Sequence, residues 1–109
     1  MNELIKVSQS VIGNEEIKTV NARELHEFLQ SKQKFADWTK NRIAKYGFEE
    51  GKDFIIILGK TKGRPEKEYH ISLDMAKELS MVESNEQGKK ARQYFIEVEN
   101  RDDSPERRA

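Results

Sequence analysis

The stretch from residue 20 to residue 47 constrains the fold of this chain most, because it holds two short helical patterns separated by a polar turn. Asn21 stands where an N-cap belongs, and Glu24 follows three residues later, as in a capping box. Leu25 and Leu29 then repeat at helical spacing and predict a buried face. Two short helices with a tight connection are the layout of a helix-turn-helix.

The second helix is predicted from about Lys34 to Tyr46, with Gly47 as its stop. At about 100° per residue, one face is aromatic and apolar: Phe35, Trp38, Thr39, Arg42, Ile43 and Tyr46. The opposite face is polar: Lys34, Asp37, Lys40, Asn41, Ala44 and Lys45. Lysine can contact phosphates or guanine, and asparagine can pair with adenine. The alternative interpretation is an ordinary solvated helix face, and Asp37 would repel phosphate.

A β-hairpin is predicted after these helices. The apolar run Asp53–Leu58 indicates a strand that is not exposed on both faces, and residues 67–72 alternate like a returning strand. The turn between them is basic, with Lys60, Lys62, Arg64 and Lys67. Gly63-Arg64-Pro65 is typical of segments that lay an arginine into a narrow minor groove, although such charges also serve simply to protect a hairpin edge. A helix-turn-helix followed by a hairpin is winged-helix-like.

Two further helices are predicted after the hairpin, so the fold class is α+β. Ser72 or Asp74 caps the first, whose apolar residues are Met75, Leu79 and Val82. Asn85 caps the second, whose apolar stripe is Ala91, Tyr94, Phe95 and Val98. The last helix opens with a third basic cluster: Lys89, Lys90 and Arg92. Cations at a helix N-terminus oppose its dipole, so an anion or acidic partner is one interpretation and simple solvation the favoured one.

The ends of the chain are predicted to lie outside the main domain. Leu4, Val7 and Val11 fall at helical spacing, which predicts a short amphipathic helix within residues 1–15. Residues 15–20 are partly β-branched and predict a small strand. The main domain is predicted over residues 16–100, and residues 101–109 have no apolar anchor and are predicted to form a disordered tail.

Composition excludes several classes of protein. Lys plus Arg and Asp plus Glu both number 20, so formal net charge is zero, which argues against non-specific binding to nucleic acid over the whole surface. There is no cysteine, and neither His26 nor His70 has a neighbour at metal-ligand spacing. No apolar run reaches the roughly 18–20 residues of a membrane span. We therefore predict a cytoplasmic, non-enzymatic protein with no cofactor, no metal and no membrane association. His26 is interpreted as a half-buried helix residue, and Phe28, Phe35 and Trp38 as core.

The order of motifs along residues 17–100 resembles the AntA/AntB domain of phage antirepressors, which is related to domains of the KilA-N and Bro type. The residues that carry the resemblance are Val20-Asn21-Ala22-Arg23-Glu24-Leu25-His26, Phe35, Trp38, Arg42-Ile43, Tyr46-Gly47-Phe48, Asp53-Phe54, Gly63-Arg64-Pro65, Glu68-Tyr69-His70, Leu73-Asp74-Met75-Ala76-Lys77-Glu78-Leu79, Met81-Val82-Glu83, Gly88, Ala91-Arg92, Tyr94-Phe95-Ile96 and Glu99.

The resemblance implies a protein of a bacteriophage or prophage, acting in the cytoplasm of a bacterial host and relieving repression of lytic genes. Its implied partner is a phage repressor protein, and double-stranded DNA is the alternative partner, because the related domains are regarded as DNA-binding. A homodimer through Leu4, Val7 and Val11 is a third possibility. Many such proteins continue into a second C-terminal domain, so this chain is expected to be either a complete small protein or an excised domain.

Overall fold

The fold, taken from a computed structural model that describes residues 4–61 and 64–102, is a mixed α+β domain, as predicted from the sequence. Its elements in chain order are β1 (Val7–Ile12), β2 (Glu15–Asn21), α1 (Ala22–Leu29), α2 (Phe35–Tyr46), β3 (Phe54–Thr61), β4 (Arg64–Ser72), α3 (Leu73–Glu83) and α4 (Glu86–Asp102). Within the described part of the chain, no helix is both long and apolar enough to cross a membrane.

The strands form one antiparallel sheet in the order β1-β2-β4-β3. The strand predicted over residues 15–20 is confirmed as β2, and the predicted hairpin is confirmed as β3 and β4. Val20 on β2 and Phe54 on β3 both lie opposite Ile71 on β4, so β4 is a central strand. The hairpin is thus half of a larger sheet that also contains the residues before the helices. The winged-helix arrangement stays a prediction.

The predicted N-terminal helix is wrong: residues 7–12 form strand β1. Gly13 and Asn14 both have positive φ, of 59° and 68°, as the two central residues of a type I′ hairpin turn require. Three apolar residues in so short a run cannot distinguish a helix from a strand. Ile5 and Ile12 are 4% exposed, so the segment also belongs to the folded domain. The predicted boundary at residue 15 falls at the β1–β2 turn.

The core lies between one face of the sheet and the four helices. Its largest fully buried apolar side chains are Trp38, Phe95, Leu25, Leu29, Ile71, Met75, Leu79 and Val20. Burying each such side chain contributes on the order of 1.5–3 kcal/mol. The interpretation of the aromatic residues as core is confirmed. Trp38 is buried, and Phe28 and Phe35 are partly buried and pack against the core cluster.

The helix ends follow local sequence signals. The Asn21 side chain accepts hydrogen bonds from the backbone N–H groups of Arg23 and Glu24, which confirms the predicted N-cap. Of the two predicted caps for α3, Ser72 is the one used, and its hydroxyl accepts from the Met75 N–H. Helix α4 runs two residues into the segment predicted as a tail, and the rest of that tail lies outside the described residues.

One expectation about β3 is confirmed for the first half of the strand and is wrong for the second half. Phe54 is buried, but Ile57 and Leu58 are 42% and 70% exposed and point to opposite faces of the sheet. The far half of this apolar strand is therefore exposed on both faces. The reason is its position: β3 is an edge strand, and among its described residues the contacts with the core are made by Phe54 and Ile56 in its first half.

Candidate functional site

Helix α2 is fixed to the domain through Trp38. The indole ring is fully buried, and its Nε1–H donates to Glu83 Oε1 at 3.2 Å. The same carboxylate oxygen lies 3.5 Å from Arg42 Nη2, and the Arg42 guanidinium stands 5.9 Å from the Trp38 ring centre. Glu83 is the last residue of α3. One acidic side chain therefore links the inward face of α2 to the end of α3.

The beginning of α2 is held against the hairpin at a second junction, around Phe35. The Phe35 ring meets the Tyr69 ring of β4 edge-on, with centres 6.2 Å apart. The Arg23 guanidinium from α1 lies 4.4 Å from the centre of the Phe35 ring. Arg23 Nη2 also pairs with Glu66 Oε2 at 3.1 Å and lies 3.5 Å from the Lys67 carbonyl oxygen. Helices α1 and α2 and strand β4 therefore meet here, and we call this cluster the Phe35 junction.

The turn between the two helices is ordered by His26. Its Nε2 lies 2.7 Å from the Gln33 carbonyl oxygen. Its ring also packs edge-on against Phe35 and Trp38, with centre distances of 5.6 and 5.1 Å. Gln30 ends α1 in the left-handed conformation, with φ of 59°. His26 is thus a half-buried structural residue, as interpreted from the sequence.

The outward face of α2 carries the polar side chains that the helical phase predicted there. Lys34, Lys40, Asn41 and Lys45 are all exposed. Within the described residues none of these four side chains forms a hydrogen bond or an ion pair, and only Lys45 has a contact of another kind, with Nζ 5.6 Å from the Tyr46 ring centre. Asp37 lies exposed among them. The face offers three cations, one amide and one carboxylate to a partner.

The predicted basic tip of the hairpin lies largely outside what the structure describes. Lys62 falls in the gap between the described ranges, and the side chains of Lys60 and Arg64 are likewise not described. Lys67 is described and exposed on β4. Because its backbone belongs to the Phe35 junction, the base of the hairpin lies beside the beginning of α2. Of the predicted hairpin cluster, Lys67 is therefore the residue that the described structure places near the beginning of α2.

The third predicted cluster lies elsewhere and is not part of the Phe35 junction. Lys89, Lys90 and Arg92 are exposed on the first turns of α4. The same end of α4 contacts the end of α1, where the Gln87 side chain donates to the Phe28 carbonyl oxygen at 3.1 Å. Arg92 also lines a surface groove of about 400 Å³ beside α3. This cluster is a separate surface.

Sequence reasoning missed the residues that position the α2 face. Arg23, Tyr69 and Glu83 gave no local signal, because each acts on a residue far away in the chain. Among the described residues, no group of three or more acidic, histidine or cysteine side chains could hold a metal ion. The arrangement provides an exposed polar surface on a helix that is attached to the domain at its beginning and its middle.

A family model described as AntA/AntB antirepressor matches residues 20–85, which is more than half of the 109 residues. The matched range includes α1, α2, the β3–β4 hairpin and α3, and therefore the whole Phe35 junction. No curated protein and no solved structure matches the chain.

Proposed function

The chain belongs to the AntA/AntB antirepressor family, and we propose that it relieves repression by binding a repressor protein through the outward face of α2. It is a non-enzymatic regulator of lytic genes in a phage or prophage and acts in the cytoplasm of the bacterial host. Binding holds the repressor away from its operators, so transcription resumes without any chemical change to either protein.

The observation that carries this proposal is that the outward face of α2 has charges of both signs and that these side chains form no hydrogen bonds or ion pairs among the described residues. Lys34, Lys40 and Lys45 surround Asp37 on the outward face of α2, and the chain as a whole has zero net charge. A protein partner can match both signs, whereas a DNA backbone presents only negative charge. Since these side chains have no hydrogen-bond or ion-pair partner among the described residues, binding would not first have to break a contact within the domain.

The attachment of α2 supports the same use. Trp38 and the Phe35 junction hold both the middle and the beginning of the helix. A helix that is already fixed loses less conformational freedom on binding, so more of the contact energy appears as affinity.

Direct binding to DNA is the second candidate, with α2 and the hairpin acting as a winged helix-turn-helix. One observation favours it: the Phe35 junction sets the base of the hairpin beside the beginning of α2. In this function Lys40 and Asn41 enter the major groove while Arg64 reaches the minor groove. Asp37 opposes it.

A pair of titrations, one with repressor and one without it, separates the two functions. A labelled operator duplex is bound to a candidate phage repressor, and this protein is then added while fluorescence anisotropy is followed. A fall in anisotropy to the value of the free duplex is the expected result. In the absence of repressor, a rise in anisotropy that weakens steeply with salt would instead support direct DNA binding.

Charge reversal identifies the surface. Lys40→Glu is expected to weaken release of the repressor by at least about tenfold, since it places a like charge within a complementary contact. Lys90→Glu makes the same change on α4 and is expected to leave release unaltered. If the Lys90 variant is the defective one, the α2 face is the wrong surface. If duplex binding is seen and Lys40→Glu lowers its salt slope by about 0.9, the helix is reading DNA.

A further inference from the structure

We propose that the free edge of strand β3 pairs antiparallel with β3 of a second copy of this chain, forming a symmetric dimer with one continuous sheet. This inference does not depend on the proposed function. It rests on three features of β3: backbone groups that point away from the sheet, exposed apolar side chains, and a distribution of charge that is complementary to itself.

The backbone geometry at the start of β3 shows which groups point outward. The Asp53 carbonyl accepts from the Ser72 N–H at 2.9 Å, so it points toward β4. The Phe54 carbonyl accepts from the Gly51 N–H of the preceding loop at 2.7 Å, so it points away from β4. Because this direction alternates along an antiparallel strand, the outward-pointing groups beyond Phe54 belong to residues 56, 58 and 60. In the described sheet β4 is the neighbour of β3, and these groups have no strand beside them.

The side chains of the first five residues of β3 leave this edge unprotected. Natural edge strands are usually blunted by charges, proline or bulges. Phe54-Ile55-Ile56-Ile57-Leu58 contains none of these. Ile57 and Leu58 are 42% and 70% exposed on opposite faces. A second strand at this edge would cover both side chains, one from each face of the sheet.

The charges that flank β3 specify a second copy as the occupant. Glu49, Glu50 and Asp53 precede the strand, with Lys52 among them, while Lys60, Lys62 and Arg64 follow its apolar run. Antiparallel pairing of two identical strands sets the acidic beginning of each beside the basic end of the other. Opposite charges across strands stabilise such pairs, and like charges oppose them. A parallel arrangement would instead bring together charges of the same sign.

Symmetry fixes the centre of the pairing. Residues that pair across an antiparallel ladder have side chains on the same face of the sheet. The two-fold axis must therefore pass beside a residue that lies opposite the same residue of the second copy. The middle of Phe54–Thr61 falls between Ile57 and Leu58. Either residue therefore meets its own copy at the axis. The axis is perpendicular to the sheet, so all helices of the dimer lie on one face and both α2 helices are on the same side of the assembly.

Sedimentation velocity over a wide range of concentration tests the proposal. The protein is expected to shift from monomer to dimer and no further. Leu58→Lys is expected to weaken the dimer by at least about tenfold, because it sets two like charges near the axis. Val11→Lys is the matched control, since Val11 is 62% exposed on β1, the opposite edge strand. Circular dichroism checks that both variants remain folded.

Three sedimentation results would overturn the proposal. They are a monomer at every concentration, a dimer that Val11→Lys disrupts while Leu58→Lys does not, and growth into open chains, which would indicate that β3 of one copy pairs with β1 of another.

Crosslinking provides an independent readout because the chain has no cysteine. Ile57→Cys or Leu58→Cys should form a disulfide-linked dimer under mild oxidation, and Val11→Cys should not. Failure of both β3 variants to crosslink also contradicts the pairing.

Discussion

The contact between α3 and α4 depends on a single glycine. Gly88 is buried, and a Cβ built there would overlap the carbonyl oxygen of Ser80. Its N–H also donates to Asn85 Oδ1 at 2.7 Å, so the backbone cannot easily move away. We expect Gly88→Ala to lower the free energy of unfolding by about 1–3 kcal/mol, in spite of the higher helix propensity of alanine.

Urea denaturation measures this change, and Gln93→Ala at an exposed position of the same helix is the control. The control is expected to be neutral or slightly stabilising. A stabilised Gly88→Ala protein would show that α3 and α4 do not approach this closely.

The stabilising contact between Lys77 and Glu99 depends on pH. The hydrogen bond from Lys77 Nζ to Glu99 Oε1, 2.8 Å long, raises the pKa of Lys77 above its usual value of 10.5. The stabilisation is therefore fully present below that value and is lost as pH rises through the higher pKa of the folded state. Because both side chains are partly solvated, its size is on the order of 0.2–1 kcal/mol. The difference in unfolding free energy between wild type and Glu99→Gln should stay constant from neutral pH to about pH 10 and shrink above it.

At the scale of elements, α2 depends on Glu83 for its attachment. Glu83→Ala removes the acceptor for the buried Trp38 N–H and the partner of Arg42, and an unsatisfied buried donor costs about 1–3 kcal/mol. In the Glu83→Ala variant we expect amide hydrogen exchange, measured by mass spectrometry, to increase more in α2 than in α3. Glu78→Ala, at an exposed position of α3, is the control. Equal exchange of α2 in both variants would show that α2 does not depend on Glu83 for its attachment.

The elements that sequence reasoning predicted correctly are those with local signals. The Asn21 cap, the Gly47 stop and the β3–β4 pair each follow from residues close together in the chain. The helix predicted for residues 7–12 is wrong because the apolar pattern of this segment fits a helix and a strand equally well until β2 is beside it. The exposed lysines of α2 followed from helical phase alone. The Phe35 junction did not, because it joins residues from three distant segments, and such partners leave no trace in a single sequence.

At the scale of the whole molecule, the folded unit is larger than the family segment. Residues 20–85 carry the family match, yet Ile5 and Phe95 are buried in the same core, and the Tyr94 hydroxyl donates to the Ile5 carbonyl at 3.0 Å. The described segments on either side of the family match are thus joined in the structure. Without the segments outside residues 20–85, the sheet would lose β1 and all of β2 except Val20 and Asn21, and α1 and α3 would lose the helix that covers them.

We therefore expect a fragment of residues 20–85 not to fold cooperatively, whereas residues 4–102 should unfold in a single transition. Trp38 is the only tryptophan and is buried, so its fluorescence reports the difference directly. In the short fragment its emission should resemble that of the denatured chain and change gradually with urea. A sharp transition in that fragment would mean that α1, α2, the hairpin and α3 suffice for a core, and that the end segments add stability rather than complete the fold.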